Sequence, residues 1–343
     1  MKSILAVTDL SHTYNGSLAL DQLSFALCAG ERLAVLGPSG SGKTTLLRLI
    51  AGLETPTLGD IALADQTASQ TGEVLIAPQH RGVAMVFQGL ALFPHLNALE
   101  QISFAARGHG GVAHALELLD RIGLSHRASA RLDQLSGGER QRIALARALA
   151  QKPRLILMDE PFASLDDEKR AEMRELLQTL LDETTLVLVT HSREDAFQLT
   201  NRVLVLDRGR LRAFGALEEV VANPCHSAVA KTLGLGQLLA GEIVGPGEAI
   251  TEFGRIAVLN KSKSSKVQVL VRPGQPRIVP RPAGVEVEVV SLELRSPDLR
   301  EVRRVAVVKA ATETLRLILP DKTVAVGDRL HIRIEGECDT VES

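Results

Sequence analysis

Gly37-Pro38-Ser39-Gly40-Ser41-Gly42-Lys43-Thr44 stands between the strand pattern Glu31 to Leu36 and the helical pattern Thr44 to Ala51. It fits G-x-x-x-x-G-K-[ST] in the strand-to-helix setting that this motif needs. The glycines let backbone N–H groups curl around a phosphate, and the helix N-terminus adds its partial positive charge. Lys43 is within reach of β- and γ-phosphates, and the Thr44 hydroxyl is placed to ligate Mg²⁺. An ordinary glycine turn could match by chance. The strand before it and the helix after it argue for nucleotide binding by Gly37, Pro38, Ser39, Gly40, Ser41, Gly42, Lys43, Thr44 and Thr45, with ATP and GTP both admissible.

Leu155-Ile156-Leu157-Met158-Asp159-Glu160 reads as a buried strand ending in two acids. In parallel sheets ligands gather at the carboxyl ends of strands. Asp159 is therefore the expected Mg²⁺ ligand, and Glu160 the expected general base for an attacking water. Two solvated acids capping a strand would look the same in isolation; the phosphate loop makes the chemical reading the stronger one. Apolar runs at Thr185 to Val189 and Val203 to Leu206 alternate with helical patterns at Glu139 to Gln151 and Asp166 to Asp182. Up to about residue 232 this predicts an α/β fold with a parallel sheet. Strand signals vanish from about Leu90 to Leu135, where Ala113 to Ile122 is amphipathic, so a helical insertion is expected over about 90–135.

Composition narrows the function classes. The chain has 343 residues, 45% hydrophobic and 23% charged, which excludes wholesale disorder. Lys plus Arg is 39 against 41 for Asp plus Glu, a net charge of −2, which speaks against nucleic-acid binding through bulk positive charge. One Tyr, eight Phe and no Trp leave no stacking platform for single strands. Cys28, Cys225 and Cys338 are widely spaced and odd in number, as expected of packing thiols in a reducing compartment. Unbroken apolar stretches of about four residues are far too short to span a bilayer.

Leu135-Ser136-Gly137-Gly138-Glu139-Arg140-Gln141 has a plain local reading: Ser136 caps a helix and Glu139, three residues on, completes a capping box. It also resembles the signature motif of ABC-type ATPases, and further resemblances follow in that family's order. Tyr14 resembles the aromatic that stacks on adenine. Gln88, in Met85-Val86-Phe87-Gln88, resembles the glutamine loop; Ser164-Leu165-Asp166 resembles the loop at the dimer interface; His191, in Val189-Thr190-His191, resembles the switch histidine. Each residue alone is weak, since a lone His after a strand or a lone Tyr is more often packing. Their common order over residues 4 to 232 carries the resemblance.

The resemblance implies an ABC cassette of the P-loop NTPase fold, with ATP and Mg²⁺ as its ligands. Glu160, His191 and Gln88 become the catalytic residues, and Gln88 joins Thr44 and Asp159 as Mg²⁺ ligands. Leu135, Ser136, Gly137, Gly138 and Glu139 would contact ATP held on a second subunit, most simply in a homodimer, and Asp166 would lie on the dimer loop. One cassette with no heptad run favours a transporter subunit over a soluble ABC ATPase acting on DNA or ribosomes. Two separate permease subunits, and indirectly an extracytoplasmic binding protein, are then the implied partners, with the chain peripheral on the cytoplasmic face of the inner membrane.

After Gly234-Leu235-Gly236 the pattern changes. Val267 to Val271, Val285 to Val289, Leu315 to Leu319 and Leu330 to Ile334 read as short strands, with Lys261 to Lys266 and Asp321-Lys322 as turns. We expect residues 1–234 to form the cassette and 235–343 a small all-β domain, a barrel or sandwich. It resembles the OB-like TOBE domain of importer ATPases for ferric iron, polyamines, sulfate, sugars and phosphonates. Nucleic-acid binding is the other known use of such barrels, but here Phe253 is the only aromatic. Overall likeness favours ferric iron, with polyamine, sugar, sulfate or phosphonate import as the alternative.

Overall fold

The computed structural model describes residues 3–181, 184–259, 264–280, 283–295, 303–319 and 324–341. The Lys261 to Lys263 part of the first expected turn, and the Asp321-Lys322 turn, lie outside them. The chain forms two compact units, Met1–Val220 and Val221–Ser343. Among the described residues no helix is long and apolar enough to cross a membrane.

The first unit opens with β1 (Ser3–Tyr14), β2 (Ser17–Cys28), β3 (Arg32–Leu36), α1 (Lys43–Ala51), β4 (Leu58–Leu63), β5 (Gln66–Gln70), β6 (Glu73–Val74) and β7 (Val83–Val86). The helical stretch follows: α2 (Ala98–Ala105), α3 (Gly111–Arg121) and α4 (Gly137–Leu149). The unit continues with β8 (Leu155–Asp159), α5 (Asp167–Leu180), β9 (Thr185–Val189), α6 (Arg193–Leu199), β10 (Arg202–Asp207) and β11 (Arg210–Ala216).

Six strands form one sheet in the order β11-β10-β3-β9-β8-β7, parallel except for the β10–β11 hairpin. Alternating side chains leave opposite faces of a strand, so an unbroken apolar strand feeds two cores. Leu155 and Leu157 of β8, with Val187 and Val189 of β9, pack with α1. Ile156, Met158, Leu186 and Leu188 face the other way, into the core shared with α4 and α5.

The expected parallel sheet is present, and a second sheet joins it. A second, antiparallel sheet, β2-β1-β4-β5-β6, covers the far side of α1. Its signal was in the sequence: Leu23, Phe25 and Leu27 are buried and alternate with Ser24 and Ala26 on the outer face.

Parallel register brings the strand ends to one edge. Val35 stands opposite Val189, and Val189 opposite Asp159, while Val86 stands opposite Met158. The phosphate loop, Glu160, His191 and Gln88 all leave that edge within two residues of these partners.

The second unit holds α7, which begins in the first unit (Leu217–Ala222), and α8 (Ser227–Leu233). Its strands are β12 (Gln237–Gly245), β13 (Glu248–Thr251), β14 (Gly254–Leu259), β15 (Lys266–Val271), β16 (Pro276–Ile278), β17 (Val285–Arg295), β18 (Arg303–Lys309), β19 (Thr314–Ile318), β20 (Arg329–Ile334) and β21 (Cys338–Val341). A closed five-stranded barrel, β12-β13-β14-β21-β15, accompanies a five-stranded sheet, β16-β20-β17-β18-β19. The last strand closes the barrel by lying parallel to β14 and antiparallel to β15.

Arg81 ties α1 to the antiparallel sheet. It is only 6% exposed. Nε donates to the Ile76 carbonyl at 2.8 Å, Nη1 to the Leu49 and Ile50 carbonyls at 3.2 and 2.8 Å, and Nη2 to the Ala68 carbonyl and Ser69 hydroxyl at 3.0 and 2.6 Å. Leu49 and Ile50 lie in the last turn of α1, where a cation meets the negative end of the helix dipole. Arg81→Met would leave several buried carbonyls unpaired, each worth about 1–3 kcal/mol. The expected loss is on the order of 3–5 kcal/mol, lowering the melting temperature by roughly 6 °C or more. A variant that melts within about 2 °C of the parent would refute the strut.

Candidate nucleotide site

Close packing dictates glycine at both ends of the phosphate loop. Gly37 has φ +153° and a Cβ there would meet the Leu206 carbonyl oxygen at 2.2 Å; Gly42 has φ +100° and a Cβ would meet the Ala19 carbonyl oxygen at 2.6 Å. Gly42 is also the N-cap of α1, and no side chain caps that end of the helix. The Gly209 N–H donates to the Ser41 carbonyl at 3.2 Å, while the Ser41 hydroxyl is buried with no protein partner. Lys43 Nζ donates to the Gly37 and Pro38 carbonyls at 2.9 Å each, which holds its charge at the mouth of the loop.

Thr44 Oγ1 donates to Asp159 Oδ1 at 3.2 Å. A hydroxyl and a carboxylate converging from two elements are the hard oxygen donors that Mg²⁺ takes, and with the orphaned Ser41 hydroxyl buried in the adjoining loop the residues fit a metal-bound nucleotide. Thr45, the last of the expected nucleotide-binding residues, is half-buried in the first turn of α1, directly after Thr44 and before the buried Leu46. Its place at the helix N-terminus keeps it beside the loop, but the convergence on Asp159 belongs to Thr44 and not to Thr45. Burial pushes the Asp159 carboxyl up, partly offset by the Thr44 hydrogen bond and the Lys43 charge. Burial likewise pushes the Lys43 ammonium down, against the pull of Glu160 and Asp159. Desolvation dominates both groups, so each gains from an added opposite charge.

Glu160 and His191, read separately in the sequence, meet here. His191 Nδ1 lies 2.8 Å from Glu160 Oε2, and the His191 N–H donates to the same oxygen at 3.4 Å. Glu160 takes φ +47°, held by its own N–H donating to the Val189 carbonyl at 2.9 Å. Such a backbone is uncommon for a non-glycine residue, and it turns the carboxylate out of the strand direction at the sheet edge.

A buried ion pair sets the next turn. Arg174 of α5 donates to Asp195 at 3.0 Å and to Glu194 at 2.8 Å, and Asp195 also accepts from the Thr190 hydroxyl at 3.4 Å. Ser192 caps α6 by accepting from the Asp195 N–H at 3.2 Å. These residues flank His191 on both sides. Sequence reasoning missed them because Arg174 in a helical run looks like one more solvated charge.

Tyr14 ends β1 at 41% exposure, with its ring edge-on to His12 at 4.6 Å. His12 itself is buried, and neither ring nitrogen has a hydrogen-bond partner. Gln88 is exposed in the turn after β7.

Leu135 is buried in the helical core, while Ser136 and Gly137 are exposed. The capping box forms as the spacing predicts: the Ser136 N–H donates to Glu139 Oε2 at 2.8 Å and the Glu139 N–H to Ser136 Oγ at 3.2 Å. Arg127 Nε adds 3.0 Å to Glu139 Oε1, and the Glu139 carboxyl sits below its ordinary range, chiefly through the Ser136 backbone bond. Asp166 caps α5 and pairs with Lys169 at 2.5 Å, a hydrogen bond that lowers its carboxyl too.

The comparisons with known proteins agree with this geometry. The ABC transporter family pattern matches residues 20–163. The Fe(3+) ions import ATP-binding protein FbpC 1 of Rhodococcus jostii is 37% identical over 352 residues, covering 98% of this chain and 98% of that protein. The sulfate/thiosulfate import ATP-binding protein CysA of Brucella melitensis is 46% identical over 217 residues, covering 60% of this chain and 59% of that protein. Among solved structures, the ATP-binding cassette MJ0796, dimeric in a post-hydrolysis state with ADP and Pi, is 31% identical with a TM-score of 0.56, covering 62% of this chain and 98% of that one. With a cassette fold, an assembled phosphate loop and a relative matched end to end, this chain belongs to the ABC transporter family and is an ABC-type ATPase.

Proposed function

We propose that this chain is the ATP-hydrolysing subunit of a membrane importer, peripheral on the cytoplasmic face of the inner membrane, with ferric iron as cargo. The observation that carries the chemistry is the Glu160–His191 pair at 2.8 Å on the edge where Asp159 meets Thr44. The cargo reading rests on likeness to a ferric-iron import protein over 98% of both chains; the sulfate likeness spans 60% of this chain.

In this reading the loop amides and Lys43 bind the β- and γ-phosphates, with Thr45 completing the phosphate cradle from the first turn of α1, and Tyr14 stacks on the adenine. Thr44, Asp159 and Gln88 would hold Mg²⁺, which when bound neutralises phosphate charge. Glu160 accepts a proton from water as its oxygen bonds to the γ-phosphorus, and ADP leaves. His191 orients the Glu160 carboxylate. Ser136 and Gly138 reach the γ-phosphate from a second copy of the chain, so that pairing completes the site; Asp166 lies at that interface. Residues 235–343 form an OB-like accessory domain.

A groove of about 950 Å³ supports docking to a permease. Phe87, Phe93 and Phe104 line it with apolar rings, Arg107, Lys152 and Arg154 with positive charge, and none of its lining residues is acidic. That chemistry suits a short amphipathic permease segment bearing carboxylates.

Glu160→Gln should bind ATP normally, accumulate a closed dimer on size exclusion with ATP, and lose steady-state turnover and iron uptake by cells carrying the matching permease. Lys43→Ala should instead lower ATP affinity roughly tenfold to a hundredfold by calorimetry, the worth of a charge-assisted contact. Near-normal turnover in Glu160→Gln removes it from the base role, and sulfate rather than iron uptake lost on deletion overturns the cargo. Phe104 is 45% exposed, so Phe104→Ser should leave the melting temperature within about 2 °C while co-purification with the permease falls. Unchanged assembly refutes the docking surface.

A further inference from the structure

Two successive non-glycine residues, Leu90 and Ala91, take φ +58° and +46° just after Gln88. L side chains rarely adopt that region, and the turn is held locally, by the Ala91 N–H donating to the Gly89 carbonyl at 2.7 Å, as well as from outside. The outside hold comes from α4. Arg147 Nη2 donates to the Leu90 carbonyl at 2.9 Å and Nη1 to the Ala91 carbonyl at 2.7 Å. Along an extended chain successive carbonyls point to opposite sides, whereas in a helical-handed turn they point the same way. Only the latter presents two neighbouring carbonyls to one planar fork.

The fork is itself anchored. Its Cζ lies 5.5 Å from the Phe93 ring centroid. The Phe93 backbone is gripped by Gln101, fully buried on α2, whose Oε1 accepts from the Phe93 N–H at 3.1 Å and whose Nε2 donates to the Phe93 carbonyl at 2.6 Å. The turn closes on the other side through the Leu90 N–H to the Phe87 carbonyl at 2.8 Å. Gln88 lies within this closed turn.

We propose that Arg147 is a positioning residue: its bidentate grip keeps the Leu90–Ala91 turn left-handed and thereby sets where Gln88 stands at the sheet edge. The proposal deepens the reading above and rests on Gln88 as a ligand of the catalytic cation. Because Ser136 caps α4 and Arg147 lies near the other end of the same helix, the signature end and the Gln88 turn share one rigid rod.

The test uses the full chain with Arg147→Met, Arg147→Lys, the glycine pair Leu90→Gly/Ala91→Gly, and that pair combined with Arg147→Met. Hydrogen exchange of peptides across 87–93 without nucleotide reads the turn directly. Arg147→Met should speed exchange at least tenfold, lower kcat roughly tenfold, raise the half-saturating Mg²⁺ severalfold, and leave the KM for ATP within about twofold. Arg147→Lys, which keeps the charge without the fork, should fall between. Glycine adopts the left-handed region without strain, so the glycine pair should recover at least a third of the kcat lost in Arg147→Met. Unchanged exchange in Arg147→Met overturns the clamp, as does failure of the glycine pair to recover kcat in a variant that melts normally. Should the turn loosen while Gln88→Ala leaves the Mg²⁺ dependence untouched, the clamp stands and the Gln88 reading falls.

Discussion

Helix α1 cannot move without opening the core that lies between the parallel and the antiparallel sheet. Leu46, Leu47, Leu49 and Ile50 have no exposed surface, and they pack against strands of both the parallel and the antiparallel sheet. Each such side chain is worth about 1.5–3 kcal/mol buried, so four of them rival the 5–15 kcal/mol net stability of a typical domain. That burial fixes the N-terminus of α1, and with it the phosphate loop, relative to the ends of β8 and β9. Everything chemical at the site is built on this one fixed end. The other end is held by Arg81, a cation neutralised by carbonyl dipoles.

Arginines, buried at Arg81 and Arg174 and half-buried at Arg147, recur as positioning devices in the first unit. Arg81 fastens a helix end, Arg147 a strained turn, and Arg174 the segment around His191 through Asp195. Buried charges contribute little net stability, because desolvation consumes what the pairing supplies. Their effect is geometric: a planar fork with several donors admits one arrangement of its acceptors and penalises the rest. An ATPase whose acids and loops must meet within an ångström gains more from such constraint than from added apolar area.

In the second unit the organising constraint is closure. A barrel has no free edge only when its first and last strands find partners, and β21 supplies the missing one between β14 and β15. Gln237 and Glu252 fasten the barrel to the adjoining sheet, the latter by accepting from the backbone of Thr312 and Glu313 at 2.7 and 2.8 Å.

The residues of the candidate site were legible because local chemistry specifies them. A glycine-rich loop before a helix, a strand ending in acids and a capping box are each written within about ten residues, and parallel β-strands put their ends on one edge. The capping box of Ser136 and Glu139 formed from its spacing alone. Meetings between distant segments were decided only in the tertiary structure: Glu160 with His191, Arg81 with the end of α1, Arg147 with Leu90 and Ala91, and β21 with β14. A sequence carries periodicity, propensity and short-range bonding, which act over a few residues. Which buried donor finds which carbonyl depends on how two sheets pack around one helix, and that is a property of the whole fold.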